Sequence, residues 1–537
     1  MSSPQSSDHY RWFVLGIIML GTFMAILDSS IVNVALPHMM SAFEVNRDQI
    51  EWVATAFMLA LATAMPLVGW LVGRVGLKAL YLTSLAIFTA GSAVCAFAWS
   101  YDTLVAARVV QALGGGAIQP VGMAFVADLF EPHERGKALG IWGTGIMVGP
   151  ALGPTLGGYL TDWFNWRAIF SVNLPIGAVT LLLGMAIMRS ERSASRPRIP
   201  FDVWGFTFVS MALISGLLAL SKGQSKGWSS PYILTCLAFA VVGLVMFLAV
   251  ESAVRHPLLD LRLFRYRNFT VSMLLAVFRA VGLFGGVFLL PIFLQNLVGY
   301  TTVRTGLTMM PGAIAVGISM PFAGRLADRY GPRNLVLFGT TMAALSLLAY
   351  GRLDPLSSRA MIIGPLIVRG VGLAFMMAPL ITAALNAVPK DKVATASSFL
   401  NVAQSVGGSF GIALLNTYVT DSVHRHSVRI GELMSTQSEA FARFTRHVSG
   451  VDLSNVRGVL PTAQVKALAL SAQGVLHRAD VLGFENGFFL AGLIVLGGIP
   501  LCLMLTHTRF RKGGPEAGNA GPADTSPISA APPHRGT

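Results

Sequence analysis

Long apolar stretches separated by short polar connections fill most of this chain. A helix needs about 20 consecutive apolar residues to cross a bilayer, and fourteen stretches come close to or exceed that length. The pattern therefore predicts an all-α polytopic membrane protein with fourteen transmembrane helices. The predicted spans are 12–37, 50–72, 79–99, 103–126, 138–160, 168–188, 203–221, 231–251, 269–293, 302–323, 334–351, 359–386, 397–419 and 485–506.

Two parts of the chain repeat each other. The segment GWLVGRVGLKAL at 69–80 is echoed by GRLADRYGPRNL at 324–335, and GPALG at 149–153 by GGSFG at 407–411. The offsets are 255 and 258 residues, and such repeats are typical of secondary transporters whose halves move about a midplane site. The predicted units are a six-helix bundle at 12–190, two inserted helices at 203–251 and a second six-helix bundle at 268–507.

The charged residues indicate topology. Only 12% of residues are charged, against about 25% in soluble domains. Most of the 39 Lys and Arg residues fall in alternate connections, which predicts that those connections and both termini are cytoplasmic. The net charge of +14 therefore needs no nucleic-acid partner.

The sequence lacks the residue clusters that catalysis or cofactor binding requires. Cys95, Cys236 and Cys502 lie far apart in apolar stretches, so we expect them to be small core residues. There is no metal-ligand cluster, phosphate loop or nucleophile constellation. We predict that the protein is not an enzyme and holds no metal or cofactor.

An aspartate lies inside the first apolar span. Asp28 is the only ionisable residue between Trp12 and Pro37. A buried acid in hydrocarbon costs about 2.5–3.5 kcal/mol even on insertion scales, so it persists where it faces a cavity or a partner. The functional interpretation is an ion-coupling carboxylate in a transporter, and the alternative is a structural hydrogen-bonding group between helices.

Several motifs resemble one known family. LDSSIVNVALP at 27–37, LVAARVVQALGGG at 104–116 and GIMVGPALGPTLGG at 145–158 resemble the motif series of the major facilitator superfamily. HPLLDLRLFRYRNF at 256–269 and LPIFLQNLVGY at 290–300 resemble its fourteen-helix drug:proton antiporter branch, the EmrB/QacA-like multidrug exporters. The resemblance implies a major facilitator fold of two pseudo-symmetric six-helix bundles plus two inserted helices. It also implies proton-driven export of amphipathic compounds through the cytoplasmic (inner) membrane.

The resemblance suggests roles for the polar residues within the spans. Asp28 and Arg108 lie at similar depths, on helices that are neighbours in the resembled fold. We expect Asp28 to bind the proton, and Arg108 with Gln111 to tune it. The alternative for Arg108 is a permanent structural ion pair.

Two further motifs suggest how the halves move. The loop motif holds an aspartate, Asp328, in its second copy but Gly73 in its first, so only the second copy can form an acid–base latch. A glycine- and proline-rich run in the fifth span is expected to form a bendable seam between the halves. The predicted gating residues are Arg74, Gly149, Pro150, Gly153, Pro154, Asp328 and Arg329.

Charge balance bears on the substrate. Arg279 and Arg369 lie deep in their spans, and Arg369 weakly echoes Arg108, yet no acid other than Asp28 is equally deep. These arginines should face water, backbone carbonyls or an anionic ligand, so we expect weakly acidic or neutral amphiphiles to be exported at least as well as lipophilic dications. The alternative is that both arginines bond to helix-end carbonyls. The predicted substrate-binding residues, for each of which lipid contact or core packing is the alternative, are Phe23, Phe57, Met58, Arg279, Phe284, Met309, Met310, Arg369 and Met376.

Other interpretations stay open. The same fold could export a single metabolite, siderophore or lipid, or the chain could be a transport-dead sensor, although its short cytoplasmic connections hold no signalling domain. Residues 421–483 form a long predicted outside loop with helix-like stretches. That loop could contact a periplasmic membrane-fusion adaptor and its outer-membrane channel, or be simply solvated. Residues 513–537 are predicted to be a disordered cytoplasmic tail.

Overall fold

The computed structural model describes residues 8–189, 200–433 and 461–506, and these are folded almost entirely into helices. Each predicted span corresponds to one long helix. In chain order these are α1 (Asp8–Phe43), α2 (Arg47–Val75), α3 (Leu77–Ala96), α4 (Tyr101–Leu129), α5 (Arg135–Trp163), α6 (Ala168–Ile187), α7 (Val203–Lys226), α8 (Pro231–Ala253), α9 (Arg267–Asn296), α10 (Thr302–Tyr330), α11 (Pro332–Tyr350), α12 (Arg359–Asn386), α13 (Val393–Leu433) and α14 (Pro461–Leu496). A last turn, Ile499–Met504, follows α14.

Twelve of the helices in the described residues are long and apolar enough to cross a membrane. The two that are not among them are α5, which is rich in glycine, and α11, which opens with Pro-Arg-Asn. Both still have the length that a span requires, because each residue adds about 1.5 Å. The fold class is confirmed, while the count of fourteen spans stays a prediction.

The helix ends differ from the predicted boundaries. Helix α1 continues through Pro37 to Phe43, where the sequence pattern ended it at the proline. Helices α13 and α14 extend far into the segment predicted as a loop, to Leu433 and from Pro461. The remainder of that segment, 434–460, lies outside the described residues, as does the predicted tail at 513–537.

The two sets of six helices pack in the same pattern. In the first set, α1 contacts α5 and α6, α3 contacts α4 and α6, and α2 contacts α4. In the second set, α9 contacts α13 and α14, α11 contacts α12 and α14, and α10 contacts α12. This repetition supports the proposed division into bundles at 12–190 and 268–507.

The inserted helices form a hairpin beside the bundles. Helix α7 packs on α8 and also contacts α2 and α13. Lys222 on α7 donates to Glu51 of α2 at 2.6 Å, which fixes the hairpin to the first bundle. Most of α8 is exposed in the chain alone, as expected for a helix whose apolar surface faces lipid.

The bundles meet along two seams. Helix α5 packs on α10 and also contacts α12, while α2 and α4 pack on α13. Many of the polar contacts between bundles lie at one end of the molecule, where α5 begins, α10 ends and the turn Lys390–Lys392 leads into α13. We call this the basic end.

Candidate functional site

The carboxylate of Asp28 is enclosed by polar side chains from other helices. Arg108 Nη1 donates to Oδ2 at 2.5 Å, and Gln111 Nε2 and Asn173 Nδ2 donate to Oδ1 at 2.9 and 2.7 Å. Asp28, Gln111 and Asn173 are 0% exposed, and Arg108 is 1% exposed. The structure therefore brings the three sequence-predicted residues together within hydrogen-bonding distance.

Local sequence explains how these side chains converge. Arg108 and Gln111 are three residues apart on α4, so both face the same neighbours. Gly91 on α3 faces Gln111, and a Cβ at residue 91 would lie only 2.7 Å from the Gln111 Cα. This close approach lets Ser92 Oγ accept from Gln111 Nε2 at 2.5 Å and from Asn173 Nδ2 at 3.1 Å.

The guanidinium of Arg108 has partners besides the acid. Its Nη1 also donates to Gln111 Oε1 at 2.6 Å, and its Nε donates to the Val53 carbonyl at 3.3 Å. The ring of Phe57 lies 3.8 Å from the guanidinium carbon, a cation–π contact, and Phe170 lies 5.7 Å away. Phe57 is therefore buried beneath this charge, and its predicted place in a substrate cavity stays a prediction.

Sequence reasoning missed Ser92 and Asn173. Asn173 is the only amide in α6, and that was the available signal, since a lone amide in an apolar span needs a partner. Its own carbonyl oxygen has no hydrogen-bond partner in the part of the chain that the structure describes. The amide is therefore held by its donor side alone.

The two arginines of the second bundle are also buried. Arg279 on α9 is 3% exposed and donates from Nη2 to Gln404 Oε1 at 2.7 Å. Arg369 on α12 is 5% exposed, and no hydrogen bond or ion pair reaches it from the described residues. Neither arginine bonds to a backbone carbonyl there, so the predicted alternative of helix-end carbonyls does not hold for the described chain.

The apolar residues predicted to bind substrate differ in burial. Met376 is completely buried in a cluster with Val271, Leu275 and Val336, where it packs the second bundle. Phe284 is partly buried against Gly408 of α13. The substrate-binding role of the set stays a prediction, and four of its members are partly or largely exposed: Phe23, Met58, Met309 and Met310.

Asp328 joins the bundles at the basic end. Its carboxylate accepts from the backbone N–H of Gly136 and of Lys137, both at 2.9 Å, and so caps the first turn of α5. Arg135, which the sequence analysis missed, donates across the same interface to Asn386 at 2.7 Å. Asn386 donates in turn to the Pro132 carbonyl.

The other predicted gating residues lie elsewhere. The guanidinium of Arg74 rests on Trp70 and that of Arg329 on Tyr330, each a ring of its own helix. The seam prediction is wrong for the later glycines of α5, because Gly149 and Gly153 face Ile26 and Ser30 of α1, within the first bundle. Pro150 also faces α1, and Pro154 follows on the same helix. The seam with α10 is formed by the earlier glycines Gly136, Gly140 and Gly143.

Comparison with known proteins identifies the family. Residues 18–203 and 203–412 match the family model of the Major Facilitator Superfamily. The chain belongs to this superfamily. It is accordingly a multi-pass membrane protein of a transporter family, and the fold expected from the motifs is confirmed.

Relatives within the Major Facilitator Superfamily cover most of the chain. The multidrug export protein EmrB of Escherichia coli K12 is 33% identical over 484 residues, 89% of this chain and 92% of EmrB. The multidrug resistance protein Stp of Mycobacterium tuberculosis H37Rv is 35% identical over 401 residues, 74% of each chain. A solved structure, the human organic anion transporter MFSD10, shares the fold at a TM-score of 0.54 and 15% identity, covering 90% of this chain and 99% of its own.

Proposed function

We propose that this protein is a proton-coupled antiporter that exports amphipathic drugs and other toxic compounds across the cytoplasmic membrane by alternating access. The observation that carries the proposal is the buried carboxylate of Asp28, held by Arg108, Gln111 and Asn173. The names of the relatives EmrB and Stp, a multidrug export and a multidrug resistance protein, support drug efflux.

The site can accommodate both protonation states of Asp28. When the carboxylate is ionised, three donors and a full positive charge compensate it. When it is protonated, Arg108 retains Gln111 Oε1, the Val53 carbonyl and the face of Phe57. Protonation of Asp28 therefore removes the counter-charge of Arg108 but leaves its guanidinium hydrogen-bonded.

Packing offers a route from this site to the interface between bundles. Gly149 of α5 packs against Ile26 and Leu27, the residues immediately before Asp28, and a Cβ at residue 149 would lie only 3.0–3.2 Å from them. The opposite face of α5 packs on α10. A shift of α1 upon protonation would move α5 and so change its packing on α10. Rearrangement of that interface would convert the protein between its inward-open and outward-open states.

Topology and partners are part of the same proposal. The basic end, with both termini, faces the cytoplasm, because Lys and Arg are concentrated in the connections on that side. Closure by Asp328 would then seal the cytoplasmic side. A periplasmic adaptor and outer-membrane channel are candidate partners for segment 421–483. A pull-down with the full chain and with residues 434–460 replaced by a glycine-serine linker tests that contact.

Transport in proteoliposomes with an imposed pH gradient tests the coupling. Native protein should export a fluorescent amphiphile against its gradient, and Asp28→Asn should lose that accumulation while keeping the site's shape. Asp102→Asn, on the exposed first turn of α4, is the matched control. Gradient-driven export by Asp28→Asn at the native rate would remove Asp28 from the coupling role. A panel of amphiphiles separates a multidrug exporter from one dedicated to a single metabolite, siderophore or lipid.

A further inference from the structure

The second bundle repeats the arginine of the first but not its acid. Arg108 lies on the fourth helix of its bundle and reaches Asp28 on the first. Arg369 lies on α12, the fourth helix of the second bundle, and reaches α9, the first, at Gly286. Asp28 and Gly286 are 258 residues apart, the same offset that relates GPALG to GGSFG. The two arginines are 261 residues apart, within one helical turn of that offset, so each is the buried arginine on the fourth helix of its bundle. Glycine stands where the acid would be.

The guanidinium of Arg369 has been left without a counter-charge. Its Nη1 occupies the position that a Cβ at residue 286 would take, so the guanidinium packs against α9 where the glycine has no side chain. Its Nη1 is buried and lacks a hydrogen-bond partner, and across 8–189, 200–433 and 461–506 no acceptor or carboxylate bonds to any of its nitrogens. A guanidinium in this state is strongly favoured to bind an anion, because its desolvation is otherwise uncompensated.

A second buried cation, Arg279, adds positive charge to the same side of α9. Arg279 precedes Gly286 by seven residues, which places both on one helix face about 10 Å apart. The Nε of Arg279 is also buried without a partner among the described residues, although its Nη2 is held by Gln404. This face of the second bundle therefore presents two buried guanidinium groups and no acid within reach in the described chain.

We propose that Arg369 binds the anionic group of an amphipathic organic acid, in the place that Asp28 takes beside Arg108. The planar guanidinium suits a carboxylate or sulfonate, because two parallel N–H donors match the two oxygens of such a group. The apolar remainder of the ligand would lie along the bundle interior. Binding of the organic acid is argued from the geometry of Arg369 alone. Export of the bound acid rests on the proposed function.

Binding of matched fluorescent probes tests the assignment. The full chain in phosphatidylcholine nanodiscs would be titrated with pyrenebutyrate, its uncharged methyl ester and the cation pyrenebutylamine. Arg369→Gln should weaken pyrenebutyrate binding about ten- to a hundred-fold, the value of a hydrogen bond to a charged group, and leave the ester unchanged. Arg369→Lys should retain part of the affinity. Arg359→Gln, at the exposed start of the same helix, is the matched control.

Two results would overturn the proposal. One is an equal loss for acid, ester and amine in Arg369→Gln and Arg369→Lys, which would make the arginine a structural residue. The other is an arginine-dependent rise in Tm in phosphatidylglycerol nanodiscs with no arginine effect on pyrenebutyrate binding. In that case a lipid phosphate is the anion.

Gly286→Asp offers an independent check that keeps Arg369 in the chain. The new Cβ would take the place of the Arg369 Nη1, so the guanidinium must shift along α9 before it can pair with the new carboxylate. Pyrenebutyrate binding should then fall while ester binding persists. The titrations need no proton gradient. If pyrenebutyrate binding depends on Arg369 but no compound is exported, the proposed function is wrong and this site stands. If the ester is exported with a proton gradient but Arg369→Gln does not change pyrenebutyrate binding, only this site is wrong.

Discussion

Removing the carboxylate of Asp328 should open the basic end of the molecule. Asp328 is the side chain of α10 that caps α5, since it accepts from two backbone N–H groups at 2.9 Å. Those amides belong to the first turn of α5, where the helix has no internal acceptors for them. Replacement by alanine leaves both amides without that acceptor whenever the bundles are closed.

The size of the effect follows from these two bonds. A hydrogen bond to a charged group contributes about 1.5–3 kcal/mol, and a carboxylate at a helix N-terminus adds about 0.3–1 kcal/mol. One partly exposed carboxylate serves both amides, so the two contributions do not add in full and together amount to about 2–3 kcal/mol. That energy corresponds to about a 30- to 150-fold change in the ratio of closed to open molecules.

Distance distributions between two spin labels across the basic end would report that ratio. Labels at the exposed residues Glu131, between α4 and α5, and Asn334, in the first turn of α11, would span the interface between α5 and α10. The background would lack the three native cysteines. Asp328→Ala should shift the population toward the longer distance, and Asp328→Asn, which keeps a weaker acceptor, should shift it less.

The control is Asp391→Ala, an exposed acid at the same end that caps nothing across the interface in the described chain. The reasoning fails if Asp328→Ala gives the native distance distribution, or if Asp391→Ala opens the protein equally. In either case the bundles would be held by apolar packing and by the bond between Arg135 and Asn386.

Three further changes have definite expected outcomes. Asn173→Leu should slow proton-driven export about tenfold, because Asp28 loses a 2.7 Å donor, and a transport assay should show no such loss for Thr180→Val. Gly73→Asp has open space around it and should cap the start of α13, moving the spin-label distances toward closure, opposite to Asp328→Ala. Burial alone would raise the pKa of Asp260, but its bonds from Lys392 and the Arg262 N–H hold that pKa below its ordinary value. This stabilisation is present above the unfolded pKa of about 4 and is lost as the pH falls through the lower folded value. Lys392→Met should therefore lower Tm at neutral pH and flatten its decline in acid.

The pairing of Asp28 with Arg108 and Gln111 could be predicted because charge in an apolar span is rare and must be compensated. Arg108 lies at the same depth as Asp28, and Gln111 lies on the same face of α4 as Arg108, so few other partners for the acid were available. Ser92 could not be predicted in this way. A hydroxyl in a helix usually bonds to its own backbone, as Thr180 does to the Ile176 carbonyl, so its presence says nothing about a neighbour.

Which helix a residue faces was harder to predict than where the helices lie. The spans are apolar on all sides, so periodicity does not separate a cavity from a core and could not predict that Phe57 and Met376 are buried. The glycines of α5 show the same limit. Their spacing marks a surface of close approach, but Gly149 meets α1 where Gly140 meets α10, and only three-dimensional packing distinguishes the two.

The two bundles differ in that only the first pairs its buried arginine with an acid among the described residues. Asp28 is 0% exposed and its oxygens are already bonded to three side chains, so a bulky ligand cannot reach it without dismantling the site. The arginine without an acid lies in the other bundle. Under the two proposals made above, proton and organic acid therefore bind different bundles and do not compete for one carboxylate. Coupling must then act through the packing of α5 on α10, which predicts that Asp328→Ala uncouples transport while leaving the affinity for pyrenebutyrate at its native value.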